Sequence, residues 1–180
     1  MEKQKNKIFI VEDESFNINV LIDLLRPKYN IAMAKNGATA LARIKEVKPD
    51  LILLDVMLPE MDGYEICEKL KADAATKNIP VIFMTVKNTT EDIVRAFRIG
   101  AADYVVKPIN YMELLSRVKT HLQLINYIQE LKESNDEIQK LSGLLPICPR
   151  CKKVRNDKGY WEKVDMYLAV NNHLEFSHGL

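Results

Sequence analysis

Cysteine is scarce in this chain, with three in 180 residues. An odd count fits a reducing compartment better than a disulfide framework. An excess of either charge is also missing. Lys and Arg number 26 against 25 Asp and Glu, for a net charge of +1, so no global field favours nucleic acid or membrane. No apolar run reaches the length of a transmembrane helix, and Met1-Glu2-Lys3-Gln4-Lys5 does not lead into a secretory signal. The expectation is a cytoplasmic location. There is no clear helix-turn-helix, no strongly basic recognition helix and no low-complexity segment, which argues against DNA binding. Lys152, Lys153 and Arg155 form only a small basic cluster.

What the chain does have is a series of short apolar runs, each ending in a polar group. Lys7-Ile8-Phe9-Ile10-Val11 precedes Glu12-Asp13, and Leu51-Ile52-Leu53-Leu54 ends in Asp55. Ile79 to Met84 ends at Thr85, and Asp103 to Val106 ends at Lys107-Pro108. The runs read as strands, with another over Tyr29 to Ala34. Between them lie helical patterns over about residues 15–25, 38–47, 64–71 and 91–99, and a fifth from about Asn110. Pro27 closes the first helix and Gly100 the fourth. Strands alternating with helices predict an α/β fold, a five-stranded parallel doubly wound sheet. In such a sheet the carboxyl ends of the strands line one crevice. Glu12, Asp13, Asp55, Thr85 and Lys107 meet there. Three carboxylates with one ammonium call for a hard divalent cation, and the set suits phosphoryl chemistry.

Beyond Tyr111 neither Gly nor Pro occurs until Gly143. Leu124, Leu131, Ile138 and Leu145 recur every seven residues, with His121, Ile128, Asn135 and Ser142 as the second column. The pattern predicts a two-stranded parallel coiled coil and hence a homodimer; a single amphipathic helix packed on its own domain is the alternative. The boundaries expected are 1–122 for the first domain, 123–143 for the coiled-coil helix and 144–180 for a small Cys-containing tail. Cys67 is expected in the core, Met57 and Met61 in loop packing, and Tyr64 at the surface or rim.

The order and spacing of Val11-Glu12-Asp13-Glu14, Leu53-Leu54-Asp55 through Met61-Asp62-Gly63, Thr85, Gly100-Ala101-Ala102-Asp103-Tyr104 and Lys107-Pro108 resemble the receiver domain of two-component response regulators. The resemblance covers roughly residues 5–122. It implies a flavodoxin-like receiver fold, and phosphorylation of Asp55 by a sensor histidine kinase or phosphotransfer protein. It implies Mg²⁺ held by Glu12, Asp13, Asp55 and the backbone carbonyl of Met57. Lys107 and Thr85 would contact the phosphoryl oxygens, with Thr85 and Tyr104 as the switch pair and Lys107-Pro108 as a cis turn. The chain would then be a phosphoacceptor switch rather than an enzyme, with at most self-catalysed phosphorylation and dephosphorylation. A phosphorylation-independent dimeric adaptor, or the regulatory part of a protein whose output domain is missing, are the other readings. Val86 stands where the family usually has a small residue after Thr85, and Lys87, two beyond Thr85, would also alter the approach of attacking water; slow hydrolysis of phospho-Asp55 is expected.

The tail carries Cys148-Pro149-Arg150-Cys151, half the ligand set of a structural zinc site. It resembles a small Cys-rich module of bacterial signalling proteins, in which a second Cys pair follows the Ser-His-Gly stretch matched here by Ser177-His178-Gly179. Three readings stay open. Zn²⁺ is held by Cys148, Cys151 and either His173 or His178; or two chains pool their Cys pairs; or the cysteines are free.

Overall fold

A computed structural model describes residues 5–86, 89–142, 148, 150–155, 159–164 and 166. The chain divides into two compact units, Met1–Ile128 and Gln129–Leu180.

In the first unit the elements follow the predicted alternation. They are β1 (Lys7–Val11), α1 (Ser15–Leu25), β2 (Asn30–Ala34), α2 (Gly37–Val47), β3 (Leu51–Asp55), α3 (Gly63–Ala72), β4 (Val81–Thr85), α4 (Thr90–Arg98) and β5 (Asp103–Val106), followed by α5 (Tyr111–Ser142), which begins in the first unit and continues past Ile128 into the second. The strands are parallel in the order β2-β1-β3-β4-β5. The order reverses between β1 and β3, so the crevice expected at their carboxyl ends opens beside Glu12 and Asp55.

The pleat sorts the core by residue parity. Phe9, Val11, Ile52, Leu54, Val81 and Phe83 face the side covered by α2, α3 and α4. Ile8, Ile10, Leu51, Leu53, Ile82 and Met84 face the side covered by α1 and α5. Burial on both faces explains the nearly unbroken apolar runs of the central strands. On α5 the residues Leu114, Val118 and Leu122 supply the buried stripe, with Ile125 packed at its edge. The first unit therefore extends a little past residue 122.

Tyr64 is a correction. It is fully buried, with its ring edge-on to Phe83 at 5.2 Å and the Arg95 guanidinium 4.2 Å above it. Gly63 draws it inward. A Cβ there would collide with the Asp55 carbonyl oxygen and sit 2.8 Å from the Val56 Cα, so only glycine lets α3 start against the end of β3. The Asp62–Glu65 capping box fixes that start. Cys67 is buried as expected, and burial pushes its thiol pKa up to about 11. Met61 packs partly buried, whereas the Met57 side chain is largely exposed.

His121 is spent differently from its place in the heptad. It faces Asp103, and its Nε2 lies 3.2 Å from Asp103 Oδ2. Further along α5, Leu124, Ile128, Leu131 and Ile138 are exposed, Leu131 by 70% and Ile138 by 63%. In the second unit β6 (Val154–Arg155) pairs antiparallel with β7 (Trp161–Glu162). That hairpin has no counterpart in the sequence reading. The helix expected towards Val170, and also His173 and His178, lie outside the described residues. Among the described residues no helix is long and apolar enough to cross a membrane.

Candidate functional site

Strand register assembles the site. Val11 pairs with Leu54, Asp55 with Met84, and Thr85 with Val106. Glu12, Asp55, Thr85 and Lys107 are therefore consecutive strand ends on one rim. Glu12 and Asp55 are almost fully buried at 1% and 3% exposure, Thr85 is buried, and Asp13 is exposed.

Lys107 reaches from the end of β5 across β4. Its Nζ lies 2.6 Å from Asp55 Oδ2 and 2.9 Å from Glu12 Oε2. Its backbone N–H donates to the Thr85 carbonyl at 2.7 Å. The Lys107-Pro108 bond is cis, as the resemblance implied. The second Asp55 oxygen, Oδ1, accepts the Met57 N–H at 3.0 Å. Asn17, which sequence reasoning missed, donates to Glu12 Oε1 at 3.1 Å and to Glu14 Oε2 at 2.9 Å. It fixes the Glu12 carboxylate from the first turn of α1.

Burial raises the Asp55 pKa, and the nearby Glu12 charge adds to this, against hydrogen bonds from Lys107 and Met57. Burial alone would lower the Lys107 pKa, but its hydrogen bonds to Asp55 and Glu12 raise it. The ammonium thus stays charged between two carboxylates.

One carboxylate oxygen from each of Glu12, Asp13 and Asp55 lies within 4.8 Å of the others. A cation at about 2.1 Å from each of six oxygens separates neighbouring ligands by about 3 Å and opposite ones by about 4.2 Å. The acidic trio therefore fits a small hard cation, and the exposure of Asp13 leaves room for its waters. Among the described residues no other group of three metal-ligating side chains lies so close together.

Tyr104 is partly buried on β5, with its ring edge-on to Phe97 of α4 at 5.9 Å. A second network missed from the sequence holds β5 to α5. Arg117 makes two hydrogen bonds to Asp103 at 2.7 and 2.8 Å and pairs with Glu113 at 2.8 Å. The signal was present as Glu113, Arg117 and His121 at four-residue spacing, but no spacing within α5 names Asp103 as the partner. Cys148 and Cys151 lie in the second unit.

Comparison with known proteins bears on this site. The response regulator receiver domain matches residues 8–119. A Vibrio cholerae serotype O1 protein named "Probable cyclic di-GMP phosphodiesterase" is 41% identical over 142 residues, 77% of this chain and 32% of that one. The DNA-binding response regulator MtrA of Mycobacterium tuberculosis is 36% identical over 124 residues, 68% of this chain and 53% of MtrA. A solved structure described as the BeF3-activated DrrB receiver domain superposes with a TM-score of 0.61 at 32% identity, covering 67% of this chain and 99% of that one. The chain thus spans between about a third and about half of these two curated relatives.

Proposed function

Because the chain belongs to the response regulator receiver domain family, we propose that Asp55 accepts a phosphoryl group from a histidine kinase or phosphotransfer protein and that α5 carries the response. The observation behind this reading is the short contact of Lys107 with both buried acids, in a pocket whose third acid stays open to solvent.

An Asp55 carboxylate oxygen forms the new O–P bond as the P–N bond to the donor imidazole breaks. The imidazole keeps the electron pair and takes a proton from solvent. Glu12, Asp13, Asp55 and the Met57 carbonyl would hold Mg²⁺, which when bound offsets the negative charge gathering on the phosphoryl oxygens. Lys107 then exchanges its contact with Asp55 for a phosphoryl oxygen, acting as a point charge on a flexible stem. Thr85 ends the strand between those of Asp55 and Lys107, and in this reading its hydroxyl donates to the same group.

Tyr104 and Phe97 lie on the face formed by α4, β5 and α5. A shift of Thr85 and Tyr104 would repack that face and bias the helix that follows. The exposed Leu124, Ile128, Leu131 and Ile138 favour pairing of two chains along α5. Beryllofluoride with Mg²⁺, a phosphoryl mimic, tests the coupling by light scattering of the 180-residue chain. A change of mass or shape that Asp55→Asn abolishes supports it. A mass and shape that never change remove α5 as the readout.

A further inference from the structure

Asn17 has a side-chain amide whose hydrogens are both committed. Its Nδ2 donates to Glu12 Oε1 at 3.1 Å and to Glu14 Oε2 at 2.9 Å. Both acceptors are carboxylates, so the amide turns its nitrogen towards them and not its oxygen. Glu12 is buried, Glu14 is exposed, and Asn17 itself is half-buried. The start of α1 gives up a cap for this contact. Glu14 is the N-cap residue, yet its side chain makes no capping hydrogen bond. A capping side chain would accept from the backbone N–H of Phe16 or Asn17; the Glu14 carboxylate goes to the Asn17 side chain instead. A local rule broken beside the acidic pocket points to a functional use.

Glu12 therefore has two donors of different kinds. Lys107 holds Oε2 with an ammonium at 2.9 Å and holds Asp55 as well. Asn17 holds Oε1 with a neutral amide. An ammonium opposes a divalent cation at close range, whereas a neutral amide orients a carboxylate without repelling the metal. On the reading that Asp55 is the phosphoacceptor, we propose that Asn17 is a positioning residue of the pocket. It fixes the Glu12 carboxylate for Mg²⁺, and it still fixes it when Lys107 turns to the phosphoryl oxygens. Glu12 is only 1% exposed, so bulk water does not replace a donor lost there. The Asn17 bond does not depend on Lys107, and it keeps the carboxylate held from the α1 side after the ammonium has moved. The two donors thus act in opposite directions on Mg²⁺: removing Lys107 tightens its binding, and removing Asn17 weakens it.

The test is Mg²⁺ titration by calorimetry on the unmodified full chain, on Asn17→Leu, and on Asn17→Leu combined with Lys107→Ala. Leu keeps much of the bulk and removes the donors. Binding should weaken by about tenfold in Asn17→Leu, as is usual when a partner that orients a metal's ligand is lost. The loss should be larger in the Lys107→Ala background, where both donors on Glu12 are gone. Labelling by acetyl phosphate gives a second readout. Its half-saturating Mg²⁺ should rise by the same factor, while the rate at saturating Mg²⁺ changes little. A merely structural role would lower Tm and leave the Mg²⁺ midpoint in place. Circular dichroism checks the fold, and Asn17→Ala, which should show the same shift, serves if Leu is not accommodated. Mg²⁺ binding as tight or tighter in Asn17→Leu overturns this proposal alone, as does a loss no larger in the Lys107→Ala background. No Mg²⁺ binding by the unmodified chain, or labelling at a residue other than Asp55, overturns the reading of the pocket and this proposal with it.

Discussion

Lys107 Nζ stands 2.6 Å from Asp55 Oδ2, although their strands are separated by β4. The same ammonium is shared with Glu12, so one positive charge serves two buried carboxylates until a cation arrives. Lys107→Ala removes that charge and leaves both acids facing the metal position. The variant should bind Mg²⁺ more tightly by about 1 kcal/mol, roughly fivefold, since a nearby positive charge that opposed the metal is gone. It should also be unable to turn phosphorylation into a change at α5. Mg²⁺ titration by calorimetry checks the first part; weaker Mg²⁺ binding would show that Lys107 organises the acids more than it competes with the cation.

The raised pKa of Asp55 has a consequence for stability. A carboxyl that is harder to ionise in the folded state than in the unfolded one binds a proton more readily when folded. Stability from this group therefore falls as pH rises from the unfolded-state value through the folded one, and at neutral pH the ionised Asp55 is a net cost. Without Mg²⁺, Asp55→Asn should stabilise the chain by about 1 kcal/mol, a rise of a few degrees in Tm. Mg²⁺ should raise the Tm of the unmodified chain and have little effect on the variant. A lower Tm for Asp55→Asn without metal would mean that the Lys107 contact outweighs burial.

Asp103 runs the other way. Burial would raise its pKa, but Arg117, the Tyr104 N–H and His121 together hold it below the ordinary carboxylate value. Its contribution is complete above the unfolded-state value and is lost as pH falls through the depressed folded value. Asp103→Asn should cost about 1 kcal/mol at neutral pH, given the partial exposure of Arg117, and should flatten the acid limb of the stability curve. Urea melts from neutral to acid pH measure both. An unchanged acid limb would assign the acid sensitivity to other carboxylates.

Val86 follows Thr85 directly and is 58% exposed. A branched side chain directly after Thr85 should impede attacking water. Phospho-Asp55 is expected to decay slowly, and Val86→Ala to shorten its half-life severalfold. Phosphate release from the loaded chain gives the rate, and equal half-lives would clear Val86 of any part in it.

The fold and the acidic pocket were legible because each depends on local pattern. Apolar runs announce central strands, and a parallel sheet brings their carboxyl ends to one rim whatever the loops do. What was not legible depends on distant partners. Tyr64 looks like a surface residue until Gly63 draws it against β3 and Arg95 closes over it. His121 fits a heptad column, but Asp103 on another element claims it. Asn17 has nothing in its own helix to mark it as the residue that fixes Glu12. The β6–β7 hairpin was missed because its strands are two residues each, too short for any periodicity to show.

The central claim is that Asp55 takes the phosphoryl group in a Mg²⁺-dependent pocket. Its most direct test is intact-mass spectrometry after incubation with a small phosphodonor such as acetyl phosphate, with and without Mg²⁺. The account predicts a single phosphoryl adduct that requires Mg²⁺, maps to Asp55 and is absent from Asp55→Asn. An adduct that persists in Asp55→Asn, or none in the unmodified chain with Mg²⁺ present, would contradict it.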